Sequence, residues 1–340
     1  MKSKVNFMYK FLAATLLILF ISACSGGGST DKKGGENDYP NKPIEIVVPV
    51  GAGGDTDVNS RITAKYLEEE LDQNIVVSNV EGSGGSTGIK EALSKEPDGY
   101  SAFTYHNAMT VNEIYGLADY TYEDFKYAGS VITDKSNTFI VSQDAPFDDL
   151  ESLVEYAKEH PGEVDFATEV GSMTHLQLKE FEQKTNTEFN LVDAGGASEK
   201  LNGLLGGRVD VVPTSLGLVQ DELESGDFES LGVMADERLD GAPDVETFEE
   251  QGVDMKVDKL FYWAFDPETP DEVVDKFSEA LENVVENESF QEEVEDNWLD
   301  PIYLDSEETK EKLKEITDHD QDVYDKIDED EIEEEQNDEQ

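Results

Sequence analysis

The chain has 340 residues, of which 80 are Asp or Glu against 25 Lys or Arg, for a formal net charge of −55 at pH 7. So large an acidic surplus sets nucleic acid aside as a partner, because phosphate backbones are held by clustered Lys and Arg. The single cysteine, Cys24, excludes an intramolecular disulfide and any metal site built from several thiolates.

The N-terminus reads as a processing signal. Lys2, Lys4 and Lys10 form a basic segment, Phe11 to Ile21 an apolar run too short to span a bilayer comfortably, and Ile21-Ser22-Ala23-Cys24 follows. That tetrad has the form of a bacterial lipobox, so residues 1–23 are expected to be removed and Cys24 to carry the lipid. An ordinary signal peptide with a coincidental cysteine is the alternative. Residues 24–38, rich in Gly, Ser, Asp and Lys, suit a flexible tether, and folding is expected to begin at Tyr39. What remains is longer than one compact core usually organises, which points to two lobes. The last residues, 328–340, are nearly all acidic or amide and are expected to form a disordered tail. The charge also points to a salt-rich habitat and a stability that rises with NaCl.

From Tyr39 short apolar runs alternate with amphipathic stretches. Ile44 to Pro49 reads as a buried strand and Val50 to Thr56 as a Gly-rich loop. Val58, Ile62, Tyr66, Leu67 and Leu71 then recur at helical spacing, with Asp57 placed as a cap or first-turn acid. Ile75 to Ser78 is a second strand, Glu81 to Gly88 a second Gly-rich loop, and Ile89 to Ser94 opens another helix, the grammar of an open α/β sheet. Pro97-Asp98-Gly99 turns the chain into a strand over Tyr100 to Tyr105.

A second α/β stretch begins at Phe139 to Ser142. It continues through a helix over Leu150 to Glu159, a strand at Val164 to Ala167, a helix from His175 to Thr185 and a strand at Asn190 to Val192. A helix from Ser198 to Leu205 and a strand over Val209 to Pro213 follow. Phe261 to Phe265 is a further apolar strand, and charged helices over Asp271 to Glu286 and Ser306 to Asp325 close the domain.

Both Gly-rich loops join a strand to a helix, where unpaired amides and the positive end of a helix dipole meet and glycine lets the backbone approach an anion. Val50, Gly51, Ala52, Gly53, Gly54 and Thr56 form one candidate anion nest, with Asp57 expected to orient it. Gly84, Gly85, Ser86 and Thr87 form the other. Tight turns without a ligand are the structural alternative, and a phosphate loop is disfavoured because no Lys-[Ser/Thr] follows the glycines. Ser172, Thr174 and His175 stand at a predicted helix start, where capping and ligand contact are equally open readings. Ala194, Gly195 and Gly196 add amides, and Thr214 and Ser215 add hydroxyls. A serine hydrolase using Ser172 or Ser215 with His175 and Asp210 is a remote alternative, lacking the Gly-x-Ser-x-Gly elbow. No catalytic residue, metal site or cofactor is expected; His106, His160 and His319 lack metal-type spacing.

Several motifs occur in one order: Tyr39-Pro40-Asn41-Lys42-Pro43-Ile44, Val48-Pro49-Val50-Gly51-Ala52-Gly53-Gly54-Asp55-Thr56-Asp57, Gly82-Ser83-Gly84-Gly85-Ser86-Thr87-Gly88 and Pro97-Asp98-Gly99-Tyr100. Further on come Gly171-Ser172-Met173-Thr174-His175, Ala194-Gly195-Gly196, Leu204-Leu205-Gly206-Gly207-Arg208-Val209-Asp210 and Pro243-Asp244-Val245-Glu246-Thr247. Together, from Tyr39 to Tyr324, the chain resembles the Bug-type substrate-binding proteins of tripartite tricarboxylate transporters. The resemblance implies a two-lobe periplasmic-binding-protein-like (type II) α/β fold, each lobe a mainly parallel sheet flanked by helices, with the ligand cleft between them. It implies a discontinuous first lobe, 39–138 with 257–327, and a second lobe over 139–256. It further implies that the two loops of the first lobe grip one carboxylate through backbone amides and water.

The implied protein is an extracytoplasmic, lipid-anchored monomer that captures a small carboxylate for the large and small membrane subunits of the transporter. A sensory subunit serving a membrane receptor kinase is the alternative. Family members often carry an aromatic and a basic residue just before the paired glycines. Here Asp193 and Ala194 stand there, which opens the distal end of the site to a ligand bearing an amine or hydroxyl.

Overall fold

The computed structural model describes residues 39–327; Cys24 with the signal and tether, and the tail over 328–340, lie outside the described residues. Strand β1 (Ile44–Val48) is buried at every position but Glu45, as expected of a strand covered on both faces. Helix α1 (Asp55–Leu71) leads to β2 (Ile75–Asn79), and α2 (Ser86–Leu93) to β3 (Ser101–Tyr105). Both β2 and β3 lie parallel to β1, one on each side. Helix α3 (Ala108–Ile114) precedes β4 (Lys126–Asp134), after which the chain leaves this sheet.

Only Lys135 and Ser136 separate β4 from β5 (Asn137–Ser142), which belongs to a second sheet. There α4 (Leu150–Glu159), β6 (Asp165–Thr168), α5 (Met173–Thr185), β7 (Asn190–Asp193), α6 (Ala197–Leu205) and β8 (Val211–Ser215) follow in turn. Helix α7 (Gln220–Ser225) and β9 (Phe228–Val233) complete it, in the strand order β7-β6-β8-β5-β9. The chain returns with β10 (Lys259–Phe265), then α8 (Asp271–Glu286), α9 (Glu288–Glu295), β11 (Asp300–Leu304) and α10 (Ser306–Tyr324). The first sheet is ordered β11-β4-β10-β3-β1-β2.

The two-lobe α/β architecture expected from the sequence is present, with a refinement of strand direction. Most strands of each sheet point one way. The exceptions are β10 and β11 in the first sheet and β5 in the second, all antiparallel to their neighbours. β5 and β10 are the strands by which the chain enters one sheet from the other, so no strand-helix-strand crossover fixes their direction.

The second sheet packs on an aromatic cluster in which Phe139 meets Phe166, Phe181 and Phe248 at ring separations of 5.0, 5.2 and 5.2 Å. Phe103, Phe125, Tyr127 and Tyr262 play the same part in the first. Each such fully buried ring contributes roughly 1.5–3 kcal/mol. Helices α8 and α10 cover β4, and none of the described helices is long and apolar enough to cross a membrane.

Candidate functional site

A cavity of about 430 Å³ is lined by residues from both sheets. Its first wall is the loop from β1 to α1. Gly51 and Gly54 line it, and their N–H groups meet no acceptor among the described residues. The loop is held by Asp57, which accepts from Gly53 N–H at 3.0 Å, Asn79 Nδ2 at 2.9 Å and Arg61 Nε at 2.9 Å. Burial pushes the Asp57 carboxyl up, but these donors together hold it below its usual value.

The second loop is tighter. Gly85 and Thr87 donate their N–H groups to Gly82 O, at 3.1 and 3.3 Å, while the Gly84 carbonyl accepts from Asn112 Nδ2 at 2.7 Å and Tyr105 Oη at 2.8 Å. Gly85 has φ +94°, and a Cβ there would lie 2.6 Å from Tyr105 Oη, so only glycine fits. The N–H of Gly84 approaches Glu169 Oε1 of the opposite lobe at 3.4 Å. Of this nest, then, much is spent on its own turn, and a carboxylate side chain already stands before what is left.

The far wall is polar. Ser172 caps α5, its Oγ accepting from His175 N–H at 3.3 Å, and its hydroxyl lies 2.9 Å from Thr174 Oγ1. Ser215 Oγ pairs with Ser136 Oγ at 2.8 Å. Deeper in, Lys259 bonds Asp55 at 2.5 Å and lies 3.8 Å from Asp134. Burial alone disfavours this ammonium, yet the two carboxylates hold its pKa above the ordinary lysine value. Burial likewise raises Asp55, but Lys259 and then His106 bring it well below the carboxylate range. His106 is itself neutral: burial and the Lys259 charge lower its pKa to about 3, and its Nδ1 accepts from Ala108 N–H at 3.1 Å.

Of the residues expected at the site, Val50, Gly51, Gly54, Thr56, Gly84, Gly85, Ser172, Thr174, Gly195, Gly196, Thr214 and Ser215 line the cavity. The others do not. Gly53 is exposed and turned to Asp57, while the Ala52 carbonyl accepts from Ser198 Oγ at 3.5 Å across the cleft. Asp57 stands in the first turn of α1, behind the loop, with Gly54 as the cap residue. Ser86 and Thr87 belong to α2, which begins earlier than its apolar periodicity shows. His175 is fully buried behind the cavity, its Nδ1 accepting from Gly171 N–H at 3.1 Å. Ala194 packs into the core of the second lobe and its N–H donates to Thr168 O at 3.1 Å. The hydrolase constellation is not assembled, since Asp210 caps the opposite end of the sheet by accepting from Asp165 N–H at 2.8 Å.

Sequence reasoning missed Lys259, Asp55, His106, Tyr105, Glu169 and Lys200, all of which line the cavity. One signal was available: Lys259 opens the otherwise apolar strand Lys-Leu-Phe-Tyr-Trp-Ala-Phe, and a charge in a buried strand needs a partner. No group of three or more His, Cys, Asp or Glu among the described residues is arranged to hold a metal ion.

A family model described as the tripartite tricarboxylate transporter family receptor matches residues 60–328. BugT of Bordetella pertussis is 29% identical over 219 residues, spanning 63% of this chain and 67% of BugT. The periplasmic binding protein BugD superposes with a TM-score of 0.80 at 25% identity, over 85% of this chain and 98% of BugD. Rpa4515 of R. palustris, solved with adipate, shares the fold at a TM-score of 0.80 and 23% identity, over 84% of this chain and 97% of its own.

Proposed function

The chain belongs to the tripartite tricarboxylate transporter receptor family, and on that premise we propose that it captures a small organic acid outside the cytoplasm and presents it to the membrane subunits of such a transporter. Receptors of this family bind solutes, and the chain is a binding protein, not an enzyme. The observation that carries the proposal is the loop from β1 to α1. Gly51 and Gly54 bring N–H groups without an acceptor among the described residues to the wall of a two-lobed cavity, at the start of a 17-residue helix. A carboxylate seated there gains hydrogen bonds and the favourable end of the helix dipole.

In this reading the bodies that close on the ligand are 39–138 with 257–327 and 139–256, hinged where the chain passes between the sheets. Acylated Cys24 anchors the receptor to the outer face of the cell membrane. The acidic surplus is an adaptation to high salt. At molar salt the Debye length is about 3 Å, so the field of the whole chain does not repel the anion and short-range amides decide affinity.

A thermal-shift screen of malate, adipate, citrate and related acids in molar NaCl tests the proposal. A cognate acid at a hundred times its Kd stabilises by about 2.7 kcal/mol, a clear rise in Tm. No shift with any acid, together with a co-purified ligand that is not an acid, would refute it. A melting temperature insensitive to NaCl would remove the high-salt reading alone.

A further inference from the structure

The one lysine of the cavity wall that has no carboxylate partner among the described residues is Lys200. It lies one turn into α6 and is buried to 7% of its full exposure. Its ammonium makes a single hydrogen bond among the described residues, to Thr174 Oγ1 at 3.3 Å. That hydroxyl is already shared with Thr168 Oγ1 at 2.7 Å and Ser172 Oγ at 2.9 Å. Lys259 makes the contrast: as deeply buried in the same cavity, it has Asp55 and Asp134 beside it. An ammonium carries three donors, and leaving donors of a buried cation unmatched is costly.

We propose that Lys200 is the specificity-determining residue of the cleft, receiving a second anionic group of the solute whose first carboxylate rests on the Gly51 to Gly54 loop. The solute class is then a diacid, or a triacid presenting two carboxylates, and not a monocarboxylate. The inference rests on the carboxylate reading above and deepens it.

The groups facing Lys200 fit this assignment. Glu169 is half-buried and has the Gly84 N–H as a donor, and Asp193 is exposed at the mouth of the cavity. A zwitterion placing its amine on Glu169 is the rival, but Glu169 is the more exposed of the two and already accepts from Gly84 N–H, whereas Lys200 is 7% exposed. Burial lowers the Lys200 pKa to about 8 against the pull of Glu169 and Asp55; Lys259 adds to the lowering and Asp193 opposes it. An anion bound beside it reverses that shift, so above pH of about 8 a diacid must bring a proton with it, and its affinity falls by up to about tenfold per pH unit.

Calorimetric titration in molar NaCl of succinate, glutarate and adipate, each against its half-amide, tests the inference on the full-length protein with Lys200→Gln and Lys200→Arg beside it. The half-amide keeps one carboxylate and the shape of the acid. The wild type is expected to prefer its best diacid over the half-amide by about tenfold to a hundredfold. Lys200→Gln should lose that preference and the pH dependence above 8 while still binding the half-amide, and Lys200→Arg should keep the preference. Unliganded Lys200→Gln and Lys200→Met should melt no lower than the wild type, since they relieve a buried charge. Equal binding of diacid and half-amide by the wild type, an unchanged preference in Lys200→Gln, or tighter binding of 4-aminobutyrate than of glutarate would each overturn the assignment and leave the carboxylate reading standing. A large fall in Tm on substitution would make Lys200 a structural residue. Failure of the wild type to bind any acid of the thermal-shift screen, with a co-purified ligand that is not an acid, would sink both readings together.

Discussion

Replacing Asp57 by Ala should loosen the loop from β1 to α1 without removing any atom from the cavity wall. The carboxylate is 4% exposed and accepts from Gly53 N–H, Asn79 Nδ2 and Arg61 Nε. Arg61 is half exposed, so its pair is screened and contributes little. The other two are hydrogen bonds to an ionised acceptor, each contributing roughly 1.5–3 kcal/mol. Asn79 keeps Val50 O at 3.1 Å and Gly53 can be rehydrated at the surface, so the net loss is expected to be about 2–4 kcal/mol at pH 7.

Urea denaturation in molar NaCl reads that loss as a fall in midpoint at unchanged slope. The pH dependence has a definite sign. Because the folded carboxyl lies below its ordinary value, its contribution is complete above about pH 4 and disappears as pH falls through the folded value. The gap between wild type and variant should therefore close on acidification. A gap under about 0.5 kcal/mol at pH 7, or one that widens in acid, would refute the account of how the loop is held.

Lys259→Met should cost about 3–5 kcal/mol, because it strands Asp55 and Asp134 as buried charges, and adding Asp55→Asn should recover part of the loss in urea midpoints. A cost below 1 kcal/mol would show the pair to be dispensable. His106, with its folded pKa near 3, stabilises fully above its unfolded value of about 6.5 and less as the medium is acidified. His106→Asn, which can still accept from Ala108 N–H, should flatten stability against pH between about 6.5 and 5; an unchanged slope would assign that slope to other groups. Asp72 ends α1 in the left-handed region at φ 48°, and Asp72→Gly should raise stability by about 0.5 kcal/mol, visible as a higher Tm. A lower Tm would mean that the side chain makes a compensating contact.

The elements that could be read in the sequence are those whose own residues announce them. Helices over Leu150–Glu159 and Asp271–Glu286 carry regular apolar faces and are found with the bounds their pattern indicates. Strand β4, Lys-Tyr-Ala-Gly-Ser-Val-Ile-Thr-Asp, was not legible, although it is buried along almost all its length. Its polar residues are satisfied from far away: Ser130 Oγ lies 3.1 Å from Thr309 Oγ1, and Thr133 Oγ1 bonds Asp258. Without those partners in view, the stretch lacks both the alternation of a half-covered strand and the apolar run of a buried one. β11 begins Asp300-Pro301, and a proline argues against a strand unless it lies at an edge, as this one does.

The site divides the same way. Glycine runs between a strand and a helix are local signals, and they mark both loops. Ion pairs are not local: Lys259 and Asp55 stand 204 positions apart, so neither residue shows by itself what it is for. Lys200 reads as one more charge on an amphipathic helix, and only the fold turns it inward.

The place of β10 in the middle of the first sheet, between β3 and β4, bears on how the molecule is assembled. Until residues 259–265 arrive, that sheet exists as three strands, β3-β1-β2, with a raw edge on β3 and as β4 without a partner strand, while the second sheet is already complete in the chain from 137 to 233. The later-closing half of the molecule thus waits on a strand encoded well over a hundred residues downstream of β3 and β4, the two strands it joins, and interruption of synthesis before that strand would leave an edge-exposed intermediate prone to aggregation.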